Sequence, residues 1–547
     1  MSRLILVLRS SIAVIGFLCV GATAVPDIKS DTRVQTESGQ VEGFIKDGVA
    51  EFLGIPYAAP PVGKLRWRPP EPPAKWHGVR QAQEFGNICL QVTTLGPFAG
   101  PANANEDCLY LNVYSPDVHP SAHELLPVMV WIHGGGNVDG ASNAYDGSKL
   151  ATQGHVVVVT INYRLGLLGF MSHPAIDAEQ HLFSNYGILD QQAALRWVRQ
   201  NIRNFGGDPG NVTLGGQSAG SVDTEANVIS PLAKGLFQRG IFQSVLLEPV
   251  PLQTAEANGV AFAVAAGCGS GTDAAAATCL RNLSAQRIFQ LSGTASTQAP
   301  YETQITIDGQ ILPGRFTALI ENGQFNHMPI MSGWVEDEQN FSLGITEFFS
   351  GPPRVPASAT DYNQRIAAFG TNPNYPPGTQ ARAAALYPLS HYSSPQLALD
   401  AIGTDAIACE QRHTNQLLAS QVRVYEYEFD DRTAPSYFPA MPGYQPLAYH
   451  TADIQYVFPG WHGGPEGIPH TLNSLQQFLS DEIVDAWTSF ARSGNPNGQG
   501  NSPWPRFKDR GNDPVVLSES IPNLFPLTDA EISDRHQCVF WDSISNY

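Results

Sequence analysis

Phe205-Gly206-Gly207-Asp208-Pro209-Gly210-Asn211-Val212-Thr213-Leu214-Gly215-Gly216-Gln217-Ser218-Ala219-Gly220-Ser221-Val222 decides how the rest of this 547-residue chain is read. Val212-Thr213-Leu214 predicts a short buried strand, with turn residues before it and a Gly-x-Ser-x-Gly sequence, Gly216, Ser218 and Gly220, after it. A serine forced onto a sharp strand-to-helix turn sits at strained backbone angles. Only residues without bulk fit around it, so such an elbow needs glycines two positions to either side. The helix that follows would aim its free N–H groups and positive dipole end at an oxyanion forming over the serine. With 51 glycines in the chain, the pentapeptide alone also fits an ordinary loop, so its surroundings must decide.

Upstream, residues 128–132 form a continuous apolar run of the kind a strand buried on both faces requires, and His133-Gly134-Gly135-Gly136 follows at once. Three consecutive glycines leave backbone N–H groups uncovered; His133 ahead of them reads as a structural residue of that loop. Residues 156–161 predict a second buried strand, and 188–204 an amphipathic helix leading into the elbow. Residues 241–246, 328–332 and 422–429 predict further central strands. Residues 472–492 predict a long helix with Trp487 and Phe490 in the core. Segments 251–300 and 345–400 read as helical or irregular, forming a cap and pocket wall. At the other end, residues 40–70 predict an antiparallel meander, and Cys89 and Cys108 flank an aperiodic loop. The fold class is therefore α/β, with a large, mostly parallel central sheet, helices on both faces and an N-terminal antiparallel meander.

Residues 1–24 carry Arg3 and Arg9, an apolar run over 12–20 and Ala22-Thr23-Ala24, the layout of a cleaved secretory signal. The run is too short to span a membrane comfortably, so no stable anchor is expected after cleavage. No linker or repeat divides residues 25–547, which read as one domain. That mature portion holds 29 basic and 50 acidic side chains, a formal charge of −21 that excludes nucleic acid as a partner. Six cysteines remain, Cys89, Cys108, Cys268, Cys279, Cys409 and Cys538. An even set in an exported chain predicts disulfides, and counting alone allows 15 pairings. No Cys-x-x-Cys pair is present, so no metal is expected. Asn282-Leu283-Ser284 and Asn340-Phe341-Ser342 are glycosylation sequons, meaningful only in a eukaryotic secretory pathway.

A serine hydroxyl attacks only when a base takes its proton and a carboxylate holds that base. In enzymes built on this elbow the chain order is Ser, then Asp/Glu, then His. Glu336-Asp337-Glu338 follows the predicted strand ending Met331-Ser332-Gly333, at a sheet's carboxyl edge. His450 lies in the turn-like Tyr449-His450-Thr451-Ala452-Asp453.

These motifs, with Phe52-Leu53-Gly54-Ile55-Pro56-Tyr57, Glu106-Asp107-Cys108-Leu109-Tyr110-Leu111-Asn112, Asn162-Tyr163-Arg164 and Asp190-Gln191, span nearly the whole mature chain. In them the sequence resembles the type-B carboxylesterase/lipase family, α/β-hydrolases that include the cholinesterases. The resemblance implies Ser218 as nucleophile, Glu338 as acid and His450 as general base. It also implies an oxyanion hole from the N–H groups of Gly135, Gly136 and Ala219, with Ser244 supporting the acid. The family's Asp-Glu-Gly motif stands here as Asp337-Glu338-Gln339, and the missing glycine keeps Asp337 as second choice. The pairings implied are Cys89–Cys108, Cys268–Cys279 and Cys409–Cys538, with a structural Arg66–Glu106 ion pair beside the first.

Two departures bear on substrate. Many relatives carry an acidic residue just before the nucleophile; this chain has neutral Gln217, so the resemblance implies one negative charge fewer beside the imidazole. The Cys89–Cys108 loop holds 18 residues and no tryptophan, so it lacks the ring a cation–π site for choline would need and is short for a lipase lid. The expectation is a secreted or periplasmic serine carboxylesterase acting on small, soluble esters through an acyl-enzyme, without cofactor. The rival readings are a lipase for longer acyl chains and a non-catalytic, neuroligin-like binding protein.

Overall fold

In the computed structural model the described residues are 32–545, apart from 99, 121–123, 245–247, 295–296, 299–300, 302–303, 499 and 508–513. The signal segment expected at 1–24 lies outside the described residues. Eleven strands make the central sheet: β1 (Phe44–Lys46), β2 (Val49–Pro56), β3 (Tyr110–Ser115), β4 (Leu126–Ile132), β5 (Val157–Ile161), β6 (Gly207–Gln217), β7 (Arg239–Gln243), β8 (Ile330–Val335), β9 (Val424–Phe429), β10 (Pro514–Glu519) and β11 (Phe525–Thr528). Their order across the sheet is β1-β2-β3-β5-β4-β6-β7-β8-β9-β10-β11, so only β4 and β5 leave chain order. From β5 to β10 every neighbouring pair is parallel. Antiparallel pairing is confined to the two ends, β1·β2, β2·β3 and β3·β5 on one side and β10·β11 on the other.

The parallel strands are apolar runs because both faces are covered. Every residue of β4 and β5 is buried, and β-branched Val and Ile suit that pleated, two-sided packing. The helices that bear on the site and its supports are α1 (Tyr186–Asn201), α2 (Ala219–Ile229), α3 (Asn340–Phe349), α4 (Pro395–Ala419) and α5 (Ser474–Ser493). Trp487 and Phe490 of α5 are buried, as the sequence predicts.

Three local expectations change. Val212-Thr213-Leu214 is the buried end of an eleven-residue strand, because Asp208-Pro209-Gly210, read as a turn, is carried through a register shift against β4. Residues 65–70 are not a strand. Gly63–Leu65 is a single 3-10 turn, and Trp67 takes a left-handed φ of 51° that lets its Nε1 donate to the Leu167 carbonyl. The start of the meander, Gln40–Glu42, pairs in a separate three-stranded sheet with Arg33–Gln35 and Val79–Gln81.

The bridges Cys89–Cys108, Cys268–Cys279 and Cys409–Cys538 are present, as is the Arg66–Glu106 pair, Nε to Oε2 2.7 Å and Nη2 to Oε1 2.5 Å. Cys538 lies two residues beyond His536, whose Nδ1 meets Asp405 Oδ1 at 3.0 Å and whose Nε2 meets Glu428 Oε1 at 2.5 Å. Burial opposes charge there, but the two carboxylates outweigh it and raise His536 to about 10. The unfolded imidazole releases its proton near pH 6.5. The stability this cluster supplies is therefore complete below pH 6.5 and is lost as pH climbs through 10. Urea unfolding between pH 6.5 and 10 is expected to show stability falling, and His536→Gln is expected to flatten that fall.

Candidate functional site

β6 delivers Gln217, Ser218 stands between strand and helix at φ 56° and ψ −125°, and α2 begins at Ala219. The glycines around it are required by close approach. A Cβ on Gly216 would lie 2.3 Å from the Gly220 carbonyl oxygen, and one on Gly220 would lie 2.1 Å from that of Ile132. The elbow thus presses on the end of β4, and β4 continues into His133-Gly134-Gly135-Gly136. Gly135 and Gly136 take left-handed φ values of 114° and 61°, and a Cβ on Gly135 would meet the Asp139 carbonyl oxygen at 2.1 Å. The N–H groups of Gly135, Gly136 and Ala219 have no partner among the described residues.

The Cys89–Cys108 loop braces this glycine turn. Asp139 Oδ2 accepts from the Thr94 N–H (3.0 Å), the Thr94 hydroxyl (2.5 Å) and the Leu95 N–H (3.2 Å). Gln91 bonds both ways to Gly140. His133 is buried, its ring stacked on Tyr163, and burial lowers it to about 4; it is a neutral part of the loop.

Beyond β8, Asp337 and Glu338 face different ways. The Asp337 N–H donates to the Ala448 carbonyl, the Ala448 N–H donates to Asp337 Oδ2, and Arg432 grips both carboxylate oxygens at 2.6 and 3.0 Å. Asp337 ties the two loops together. Glu338 Oε2 meets His450 Nδ1 at 2.5 Å, while its Oε1 accepts from the Val335 N–H at 3.1 Å. Both residues are nearly sealed, 2% and 4% exposed. Gln339 fits in place of the family glycine because Gly403 of α4 faces it: a Cβ there would lie 2.5 Å from Gln339 Cγ. Segment 345–400, expected to wall a pocket, runs into α4, which buttresses this acid loop through Thr404 and Gln411.

The other nitrogen of His450 is met by the side-chain amide of Gln217, Nε2 to Nε2, at 3.1 Å. With Nδ1 facing a carboxylate, Nδ1 carries the proton and Nε2 offers a lone pair, so the amide donates. Ser218 Oγ makes no hydrogen bond among the described residues. The Ser244 hydroxyl is buried and makes no hydrogen bond among the described residues, while the Val335 N–H donates to Glu338 Oε1.

Sequence reading placed neutral Gln217 beside the imidazole but did not foresee its amide on His450 Nε2. It missed Phe341, whose ring stands 5.5 Å from that of His450 and 5.5 Å from Phe98 of the disulfide loop. It missed Asp453, which accepts a short hydrogen bond from Gln243 and which burial pushes up to about 7. A cavity of about 320 Å³ opens to one side among Phe98, Tyr145 and Trp461, and neither Ser218, Glu338 nor His450 lines it. Of the two sequons, Asn282 is exposed, whereas Asn340 is buried and bonded to Gln396 and Pro446. Among the described residues no cluster of three His, Cys, Asp or Glu side chains could hold a metal, and no helix is long and apolar enough to cross a membrane.

The family model described as Carboxylesterase family matches residues 30–541. A "Fatty acyl-CoA hydrolase precursor, medium chain" of Anas platyrhynchos is 35% identical over 519 residues, covering 87% of this chain and 86% of the relative. The para-nitrobenzyl esterase of Bacillus subtilis (strain 168) is 35% identical over 506 residues, covering 89% of this chain and 95% of that protein. A solved structure of a PNB esterase superposes with a TM-score of 0.73 at 31% identity, covering 92% of this chain and 100% of the other.

Proposed function

Because the chain belongs to the carboxylesterase family, we propose that it hydrolyses carboxylic esters through an acyl-enzyme, with Ser218 as nucleophile, His450 as general base and Glu338 as the acid that holds the base. The observation that carries this reading is the 2.5 Å contact of Glu338 Oε2 with His450 Nδ1, which fixes the tautomer and leaves Nε2 as the basic nitrogen. Ser218 Oγ gives its proton to Nε2 as it attacks the ester carbonyl, and the imidazolium returns that proton to the departing alkoxide. Water then repeats the sequence on the acyl-serine. The tetrahedral oxyanion is taken up by the unpaired N–H groups of Gly135, Gly136 and Ala219. In serine hydrolases the loss of one such donor lowers the rate about 10²- to 10³-fold. Serine–histidine contacts are often loose before substrate arrives, so the unpaired Ser218 hydroxyl fits a resting enzyme.

The substrates are small, soluble esters. The Cys89–Cys108 loop is engaged through Gln91, Thr94 and Leu95 in holding the glycine turn, which leaves it little freedom to act as a lipase lid. The relative named for a medium-chain fatty acyl-CoA fits an acyl group of modest size, and the one named for a para-nitrobenzyl ester fits a small aromatic alcohol. The signal-like residues 1–24 and three disulfides support export to the cell exterior or periplasm, with 25–547 as the mature single domain. Titration with an organophosphate is the direct test. One equivalent per chain is expected to abolish hydrolysis of p-nitrophenyl acetate, with the adduct on the peptide containing Ser218. An adduct elsewhere, or none, ends the proposal.

A further inference from the structure

The amide of Gln217 and the hydroxyl of Ser218 require the same lone pair. A neutral imidazole whose Nδ1–H is committed to Glu338 has one acceptor site, at Nε2, and the structure gives it to Gln217 at 3.1 Å. That amide is held by little else: its Oε1 is buried with no partner, and its neighbour Ser218 is likewise unpaired. The backbone here cannot give way, because Gln217 is in register with Gln243 of β7 and the Ser218 N–H donates to the Gln243 carbonyl. Only side-chain rotation can exchange one donor for the other.

We propose that Gln217 is a positioning residue of the ester hydrolysis, its amide holding His450 Nε2 between turnovers and yielding it to Ser218, and its neutrality keeping one more carboxylate off the base. This rests on the reading of His450 as general base. The charge balance makes neutrality matter. Glu338 faces His450 at Nδ1, and Asp453 faces it from its own loop. Glu519 of β10 and Tyr427 of β9 stand behind Asp453, and Tyr145 approaches from beyond the glycine turn. His133 is neutral, and Asp337 with its neighbour Asp400 is turned to Arg432. No cation offsets Glu338 and Asp453 among these groups. A carboxylate at 217 would be a further negative charge in contact with the imidazole, favouring its protonated, inactive form.

Two measurements on Gln217→Glu test this. The first is the pH profile of kcat/KM for p-nitrophenyl acetate. The second is the titration, in the protein without substrate, of the low-field proton resonance of the Glu338–His450 bond, which needs no turnover. Both are expected to move to higher pH by about one unit or more, the effect of an opposite charge at contact distance. The same displacement is expected in an Asp453→Asn background, which separates it from titration of Asp453. Gln217→Asn, whose amide falls one methylene short, is expected to shift the resonance titration upward by less, and it keeps the question open to measurement if the Glu variant does not fold. An unmoved resonance titration in the folded variant overturns the inference. A moved resonance in a protein that hydrolyses no ester would instead sink the functional reading and leave the contact standing.

Discussion

Ser218→Ala is expected to lower kcat on p-nitrophenyl acetate about 10⁶-fold, the size of loss seen when a serine hydrolase is stripped of its nucleophile. Nothing nearby replaces the hydroxyl. Ser221, the next serine along the elbow, is fully buried within α2. The fold should survive, since alanine carries the same Cβ as serine through φ 56° and ψ −125° and Ser218 Oγ makes no hydrogen bond to lose. Thermal melting of the variant should match the parent. Retention of full activity by a folded Ser218→Ala protein would remove the nucleophile from the proposal.

Glu338→Gln is expected to cost about 10⁴-fold in kcat, as does the equivalent change in a serine protease, for a reason visible in this site. The Val335 N–H donates to one oxygen of Glu338, so the carboxamide keeps its oxygen there and turns its NH₂ toward His450 Nδ1. A donor facing Nδ1 forces the proton onto Nε2, the nitrogen that must accept from Ser218. Asp337→Asn should behave differently. Its oxygen can still accept from the Ala448 N–H, but the ion pair with Arg432 is lost, so most of the activity should remain while the melting temperature falls. The reverse pattern, a dead Asp337→Asn beside an active Glu338→Gln, would move the acid role to Asp337.

The choice between these two neighbours illustrates where sequence reading ends. Adjacent residues on a turn after a strand point to different sides, and which side holds the histidine depends on how residues 448–450, more than a hundred positions away, are docked. The same limit hid Phe341, whose closeness to His450 is set by loop packing, and the bond from Gln243 that holds Asp453. It left two sequons equivalent until one asparagine was found buried under Gln396. It also gave no sign that the Val335 N–H donates to the second oxygen of Glu338.

What the sequence determined by itself is whatever follows from local constraint. Continuous apolar runs place β4 and β5 inside a two-faced sheet, and glycines at 216 and 220 mark an elbow because no side chain fits against the carbonyls of Gly220 and Ile132. The tertiary structure alone decided which carboxylate meets the imidazole, and that Gln217 rather than Ser218 occupies its free nitrogen. A hydrogen bond spanning 112 or 233 residues depends on ångström-scale docking of separate loops, which no periodicity or motif spacing encodes.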